Sequence, residues 1–247
     1  FTSLNVGGID FAIVEDRKFK SGCFGLVKPG LGPRPDHIDQ PDYDPKELDL
    51  PDKKLLGERQ LAFLRAWGQD WDGVVMKAVV SQTVWRMAST FHSQSKTFYY
   101  ADLDANGWPQ TGRNKAVDLL RRCFALHICG DQHLATIVQY GIDDWHDAGW
   151  SFCVPSIANL WPRWWSPKTA ARNPEPGAQP YTGDYLDGFG NRLTVYAHTN
   201  PRVTGREPAA LHDRMPGFGI VRFDKEARTI TMECWPRMID PTDPQSQ

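Results

Sequence analysis

The sequence predicts an α/β protein with a mixed sheet and long loops, and three observations carry that reading. Short apolar runs rich in β-branched residues recur along the chain, as in Ile9 to Glu15 and Val74 to Val80. Amphipathic helical stretches separate them, which is the strand–helix–strand rhythm of a parallel or mixed sheet. Near the C-terminus, Gly219 to Phe223 and Arg228 to Trp235 form a hairpin signal. One domain is expected, with residues 1–160 as sheet and helix core and 161–247 as loops, further strands and the hairpin.

Ile9 to Glu15 reads as a central strand that runs out into Asp16-Arg17-Lys18. Charged residues at a strand exit are either a solvated end or the rim of a site. Residues 28–53 follow, dense in proline and acids, which excludes a helix or an interior strand there. A loop of that length is a functional cover or a solvated segment. Its acids lack the EF-hand spacing, so a calcium loop is not expected. Gly57 to Trp71 reads as a helix, with Leu61, Leu64, Trp67 and Trp71 at near-helical spacing and the tryptophans as core. Val74 to Val80 is the next strand, with Ser81-Gln82-Thr83 at its exit.

Residues 87–112 are irregular, with turn signals at Asn106-Gly107 and Trp108-Pro109. His92, Asp102, Asp104, Asn106 and Trp108 are the polar and aromatic residues of that stretch, and loops of this kind carry binding groups. Arg113 to Phe124 reads as a second helix, with Ala116, Val117, Leu120, Cys123 and Phe124 on its apolar side. It delivers the chain into the run Phe124 to Ile128, and then Cys129-Gly130-Asp131-Gln132-His133-Leu134. Ala135 to Tyr140, Ser151 to Val154 and Leu193 to His198 are further strands, and residues 162–190 an irregular surface layer.

A net charge of −2 gives no general electrostatic reason to expect nucleic acid or an anionic membrane as partner, and no nucleic-acid-binding motif is present. No apolar run has the length of a membrane span. The five cysteines show no CxxC pair and read as buried thiols. The ends, from Phe1 to the run after Pro241, read as those of a piece of a longer protein. Glycine-rich phosphate loops, Gly-x-Ser-x-Gly elbows and His-Glu-x-x-His helices are absent from the sequence.

Asp131 and His133, one residue apart after a glycine at a strand's C-terminal end, are candidate metal ligands. A carboxylate with an imidazole suits zinc, iron or manganese. Two ligands are too few, since an open catalytic zinc takes three from the protein. His92 and His127 are candidates to complete the set. For His127, inside an apolar strand, a hydrogen-bonded core histidine is the competing reading.

Six blocks carry a resemblance: AIVEDRKFK (12–20), LLGERQLAFLRAWGQDW (55–71), KAVVSQT (77–83), DLDANGWPQTGRN (102–114), HICGDQHL (127–134) and FCVPSIAN (152–159). In this order they resemble the C-terminal half of the PhoD-like alkaline phosphatases, a branch of the calcineurin-like metallophosphoesterases. The ending GFGIVRFDKEARTITMECWPR is similar to one subgroup. The resemblance implies a β-sandwich flanked by helices, with two divalent or trivalent metal ions (Fe, Ca, Zn or Mn) at the sheet edge. It implies a metal-activated water that attacks a phosphomonoester or phosphodiester, and it is compatible with a secreted or periplasmic setting. GDQH aligns with that family's last metal motif, placing Asp131 and His133 as ligands. Arg17 falls in a matched block as a candidate catalytic group, as do Asp16, Asp104, Asn106 and Trp108 as candidate lining residues; His92, outside the blocks, is a further candidate lining residue.

The family's earlier metal motifs would precede residue 1, so this chain alone is expected to show little or no phosphatase activity. Two other readings stay open. One is a phosphatase-like domain without catalysis. The other is a carbohydrate- or aromatic-ligand-binding module, suggested by loop tryptophans 108, 161, 164 and 165.

Overall fold

The computed structural model describes residues 1–247 except 29, 31, 33, 88–89, 93–96, 159–162, 202–214 and 247, and except the side chains of 92, 97 and 246. Its centre is an eight-stranded mixed sheet. In chain order the strands of that sheet are β1 (Thr2–Val6), β2 (Ile9–Ile13), β4 (Met76–Thr83), β8 (Leu126–Gly130), β9 (Thr136–Tyr140), β10 (Trp150–Cys153), β12 (Gly183–Leu186) and β13 (Arg192–His198). Spatially they run β1-β2-β4-β8-β10-β9-β13-β12. β2, β4, β8 and β10 are mutually parallel, and the flanking strands are antiparallel. The C-terminal ends of four parallel strands therefore meet at one edge, which is where such sheets place binding groups.

Two helices, α1 (Glu58–Gln69) and α2 (Gln110–Arg121), cover one face. Leu61, Leu64 and Trp67 of α1, and Ala116, Val117 and Leu120 of α2, pack with Ala12, Val14 and Val79 in the main core. The helical period puts these residues on one stripe of each helix, and the strand period puts Ala12 and Val14 on the same sheet face. The Lys77 ammonium, buried on that face, donates to the carbonyls of Trp67 and Asp70 at the C-terminal end of α1. A cation there complements the helix dipole. Helix α2 starts three residues earlier than its apolar pattern suggests. Pro109 forms its N-cap, and the Pro109 carbonyl takes the Arg113 N–H.

The other face carries the hairpin of β14 (Gly217–Asp224) and β15 (Thr229–Pro236). Phe223 meets Phe11 of β2 edge to face, with ring centroids 5.8 Å apart. Gly219 lies so close to Phe152 and Val154 that a Cβ would stand 2.7 Å from each. The sandwich implied by the resemblance is represented among the described residues by one full sheet and this two-stranded layer. A cleft of about 630 Å³ opens beside β15, lined by Phe124, Leu126, Trp150, Ile230 and Met232. It lies where β8 and β10 begin, at the sheet end opposite to the edge where the parallel strands finish.

Several expectations need correction. Phe124 is not on the apolar side of α2. It is 86% exposed with a φ of 53°, because the chain reverses there and the Ala125 N–H returns to the Leu120 carbonyl. Trp71 lies past the helix end and is exposed, whereas Trp67 is core. The proline-rich loop does contain a short buried strand, β3 (His37–Ile38), paired antiparallel with β7 (Ala101–Asp102). Two residues between prolines suffice for that pairing. A small sheet of β11 (Arg163–Trp164), β5 (Phe91–His92) and β6 (Thr97–Phe98) completes the strands among the described residues. All five cysteines are free, with Cys123, Cys129 and Cys153 buried and Cys234 exposed.

Candidate functional site

Asp16 is the first polar group at the edge, just beyond β2. It is not a solvated strand end, for it is fully buried. Its carboxylate accepts the N–H groups of Gln82 and Thr83 at 3.2 and 3.3 Å and the Trp85 indole at 2.9 Å. The Asn106 side chain donates to the Asp16 carbonyl at 3.2 Å. Burial pushes the Asp16 carboxyl above the usual carboxylate range, and the Trp85, Ser81 and Asn106 side chains pull it back. Asp16 and Asn106 thus join the exits of β2 and β4 to the loop after β7, and the buried Asn106 Oδ1 has no hydrogen-bond partner among the described residues.

Arg17, the next residue, turns outward. Its Nη2 donates to the Asp104 carboxylate at 2.8 Å, while Nη1 donates to the Asp104 carbonyl at 3.0 Å and stands 3.6 Å from Asp131 Oδ2. Burial, the largest single influence, opposes the charge of Asp104, but Arg17 together with Lys20 and Arg163 holds the carboxyl below its ordinary value. Asp131 follows β8 in a turn where both Asp131 and His133 take positive φ, 71° and 53°. The left-handed region is uncommon for non-glycine residues, and short polar side chains tolerate it best. Asp131 Oδ2 accepts from the Thr83 hydroxyl at 3.2 Å and the Gln132 amide at 3.4 Å. Oδ1 takes part in none of these bonds.

The structure therefore brings Arg17, Asp104 and Asp131 together, with His133 in the same turn as Asp131. Trp108 is not among them. It is fully buried and its indole donates to the Leu48 carbonyl at 2.7 Å. His92 belongs to β5, in the small sheet, and its side chain lies outside the described residues. Trp161 also lies outside them, while Trp165 is core. His127 is the hydrogen-bonded core histidine: its two ring nitrogens lie 2.7 Å from the Ser81 hydroxyl and 2.7 Å from the Tyr140 hydroxyl. Burial pushes it down to about 3, so it stays neutral.

Three groups at this edge were not identified by their sequence pattern. Lys20 donates to the carbonyls of Leu103, Asp104 and Ala105 at 2.6, 3.2 and 2.9 Å, over the face of Trp108. Burial pushes its ammonium down to about 8. Arg163 donates to the Gln132 side chain at 2.9 Å and reaches Asp102 at 3.4 Å. Asp102 in turn lies 3.7 Å from His37 Nε2, directly across the β3–β7 pair. Lys20 sits inside a block that also holds Arg17, which was a usable signal. Arg163 and His37 come from segments far apart in sequence, and only the fold joins them.

Two donor sets could hold a metal ion. Asp131 and His133 offer a carboxylate oxygen and an imidazole nitrogen, a mixed set that suits zinc, iron or manganese, and Asp131 Oδ1 is outside the hydrogen bonds described. Asp36, His37 and Asp102 have ligand atoms within 4.8 Å of one another. In that second set the carboxylates are already matched, Asp36 by Arg34 at 3.0 Å and Asp102 by Arg163. An ion at this set would share the two carboxylates with these arginines.

No family model matches the chain, and no curated protein matches it. A solved structure of PhoD is similar over 63% of this chain and 28% of its own length, with 14% sequence identity and a TM-score of 0.44. The chain spans well under two thirds of that neighbour. No helix among the described residues is long and apolar enough to cross a membrane.

Proposed function

We propose that the sheet edge bearing Arg17, Asp104, Asp131 and His133 is part of the centre of a metal-dependent phosphoester hydrolase. One observation supports this above the others. Asp131 is held in a left-handed turn between the Thr83 hydroxyl and the Arg17 guanidinium, with one oxygen left outside those bonds. The GDQH block in which it stands, and its resemblance to the last metal motif of the PhoD-like enzymes, points the same way. Asp131 and His133 would supply ligands to the ion, which when bound supplies Lewis acidity and an acidified water.

This chain's residues have separate tasks in that reading. Thr83 and Gln132 fix the Asp131 carboxylate, and Arg17 carries positive charge to the rim, where it can meet a phosphoryl oxygen. Asp104 orients Arg17. Two ligands remain fewer than the three of an open catalytic zinc site, so hydrolysis by this chain by itself is expected to be low.

The test is metal content and affinity for manganese, zinc and iron, compared between the chain, Asp131→Asn and His133→Ala. Loss of binding in both variants with unchanged thermal midpoints is the expected result. Equal metal binding in all three proteins would remove the reading.

A further inference from the structure

The cleft beside β15 lies at the sheet end opposite Asp131. Its volume of about 630 Å³ is within the range of ligand pockets, about 300–1,000 Å³. A second cavity of about 270 Å³, lined by Trp71, Val75 and Cys123, meets it at Phe124, Arg228 and Ile230. The two make an elongated, mainly apolar groove. Phe124 stands at the junction, 86% exposed, with a φ of 53° that is an outlier for a bulky side chain. Trp71 and Trp150 add further exposed apolar surface along it. Contiguous apolar surface of this kind marks a binding site, whereas single exposed apolar residues are ordinary.

Charge defines what the groove would take. Asp147 is filled by the N–H groups of Ile142, Asp143 and Asp144 and by Arg121, whose guanidinium also holds Asp118 and Asp143. The Gln139 amide donates to the carbonyls of His146 and Ala148, and His146 Nε2 lies 2.8 Å from Asp184. The Lys77 ammonium is turned to the end of α1 and to Asp10. Arg228 differs. It is exposed where the two cavities meet, and its side chain has no ion-pair or hydrogen-bond partner among the described residues. One unmatched cation at the rim of an apolar groove suits a ligand with one anionic end. The walls offer no partners to a peptide, a nucleotide or a sugar, whose polar groups would lie against them unpaired. A hydrocarbon chain carries no such groups and gains from every methylene it buries.

We infer that this groove binds a single-chain amphiphilic carboxylate, a fatty acid in chemical class. The chain lies along Phe124, Trp150, Ile230 and Met232, and the carboxylate meets Arg228 at the water-exposed rim. The site is separate from the metal-binding edge, and this inference does not rest on the phosphoester reading.

Dodecanoate, octanoate and dodecyltrimethylammonium, each below its micelle concentration, are titrated into the chain in the presence of a chelator. Calorimetry gives affinity and stoichiometry, and emission from Trp150 and Trp71 reports occupancy of the groove. About one equivalent of dodecanoate is expected to bind, with affinity falling about 3–4-fold for each methylene removed. The cation of the same chain length is expected to bind more weakly, by about 3-fold or more. Arg228→Asn keeps a residue that tolerates the left-handed φ of 54° at this position. It is expected to weaken dodecanoate about 2–5-fold and not to weaken the cation. Phe124→Ala is expected to weaken both twelve-carbon chains about 3–10-fold. Thermal midpoints without ligand check the folding of both variants. Absence of dodecanoate binding, equal binding of octanoate or of the cation, or unchanged dodecanoate affinity in either variant would each overturn the assignment.

Discussion

Arg17 and Asp104 form the shortest ion pair among the described residues of the sheet edge, 2.8 Å between guanidinium nitrogen and carboxylate oxygen, and the same guanidinium faces Asp131 at 3.6 Å. Both partners are more than a third exposed, so the pair adds little to stability in water. Its consequence is positional. The loop after β7 is tied to the turn after β8 by one side chain from the end of β2.

Replacing Arg17 with methionine is therefore expected to change stability by less than about 1 kcal/mol. It removes a cation that competes for Asp131, so affinity for a divalent ion at Asp131 and His133 should rise. Calorimetric titration with manganese or zinc, alongside urea unfolding of the same variant, checks both. A large loss of stability with no gain in metal affinity would contradict the positional role.

Lys20 is expected to leave a signature at alkaline pH. Its folded-state value, about 8, is below that of an unfolded lysine, near 10.4. Between these values the unfolded chain binds more protons than the folded one, so this group makes stability rise with pH across that window. Lys20→Met should abolish that rise. It should also cost about 1–3 kcal/mol, because three carbonyls lose their common donor. The difference in unfolding free energy between the two proteins from pH 7.5 to 10.5 is the measurement.

His127 acts at the acid end. Its folded value of about 3 is depressed below the unfolded 6.5 by burial and, secondarily, by Arg113. The unfolded chain then binds the extra proton, and stability falls as pH drops from 6.5 toward 3. His127→Gln should reduce this fall. Asp16 and Asp187, whose carboxyls are raised by burial, have the opposite sign and remain in both proteins. The comparison of unfolding midpoints at pH 7 and pH 4.5 isolates the histidine.

Gly219→Ala is expected to destabilise the hairpin. The new methyl would stand 2.7 Å from Phe152 and Val154, a crowding that typically costs 1–3 kcal/mol. Amide exchange in β14 and β15 should accelerate more than in β8. Uniform protection with an unchanged midpoint would show that the hairpin does not seat on the sheet through this glycine.

The class of fold was legible in the sequence because its signals are local. Periods of two and near 3.6 marked β2, β4, β8, β9, β10, β13 and the hairpin, and both helices, to within a few residues. β1 escaped notice, since all its residues are exposed and Thr2–Val6 has no buried alternation. β12 did so because its glycine and aspartate disfavour strand. The turn of Asp131 and His133 was also visible, as a glycine followed by two ligand-type side chains. What tertiary structure alone decided is which distant groups meet there. Arg17 and Thr83 reach Asp131 because β2, β4 and β8 end at one edge, Arg163 reaches Gln132 from the separate small sheet, and no local pattern encodes that convergence. The same physics sorted the candidates by exposure. Asp16 at a strand exit, and Asn106 and Trp108 in a polar loop, looked like rim residues, yet all three are buried.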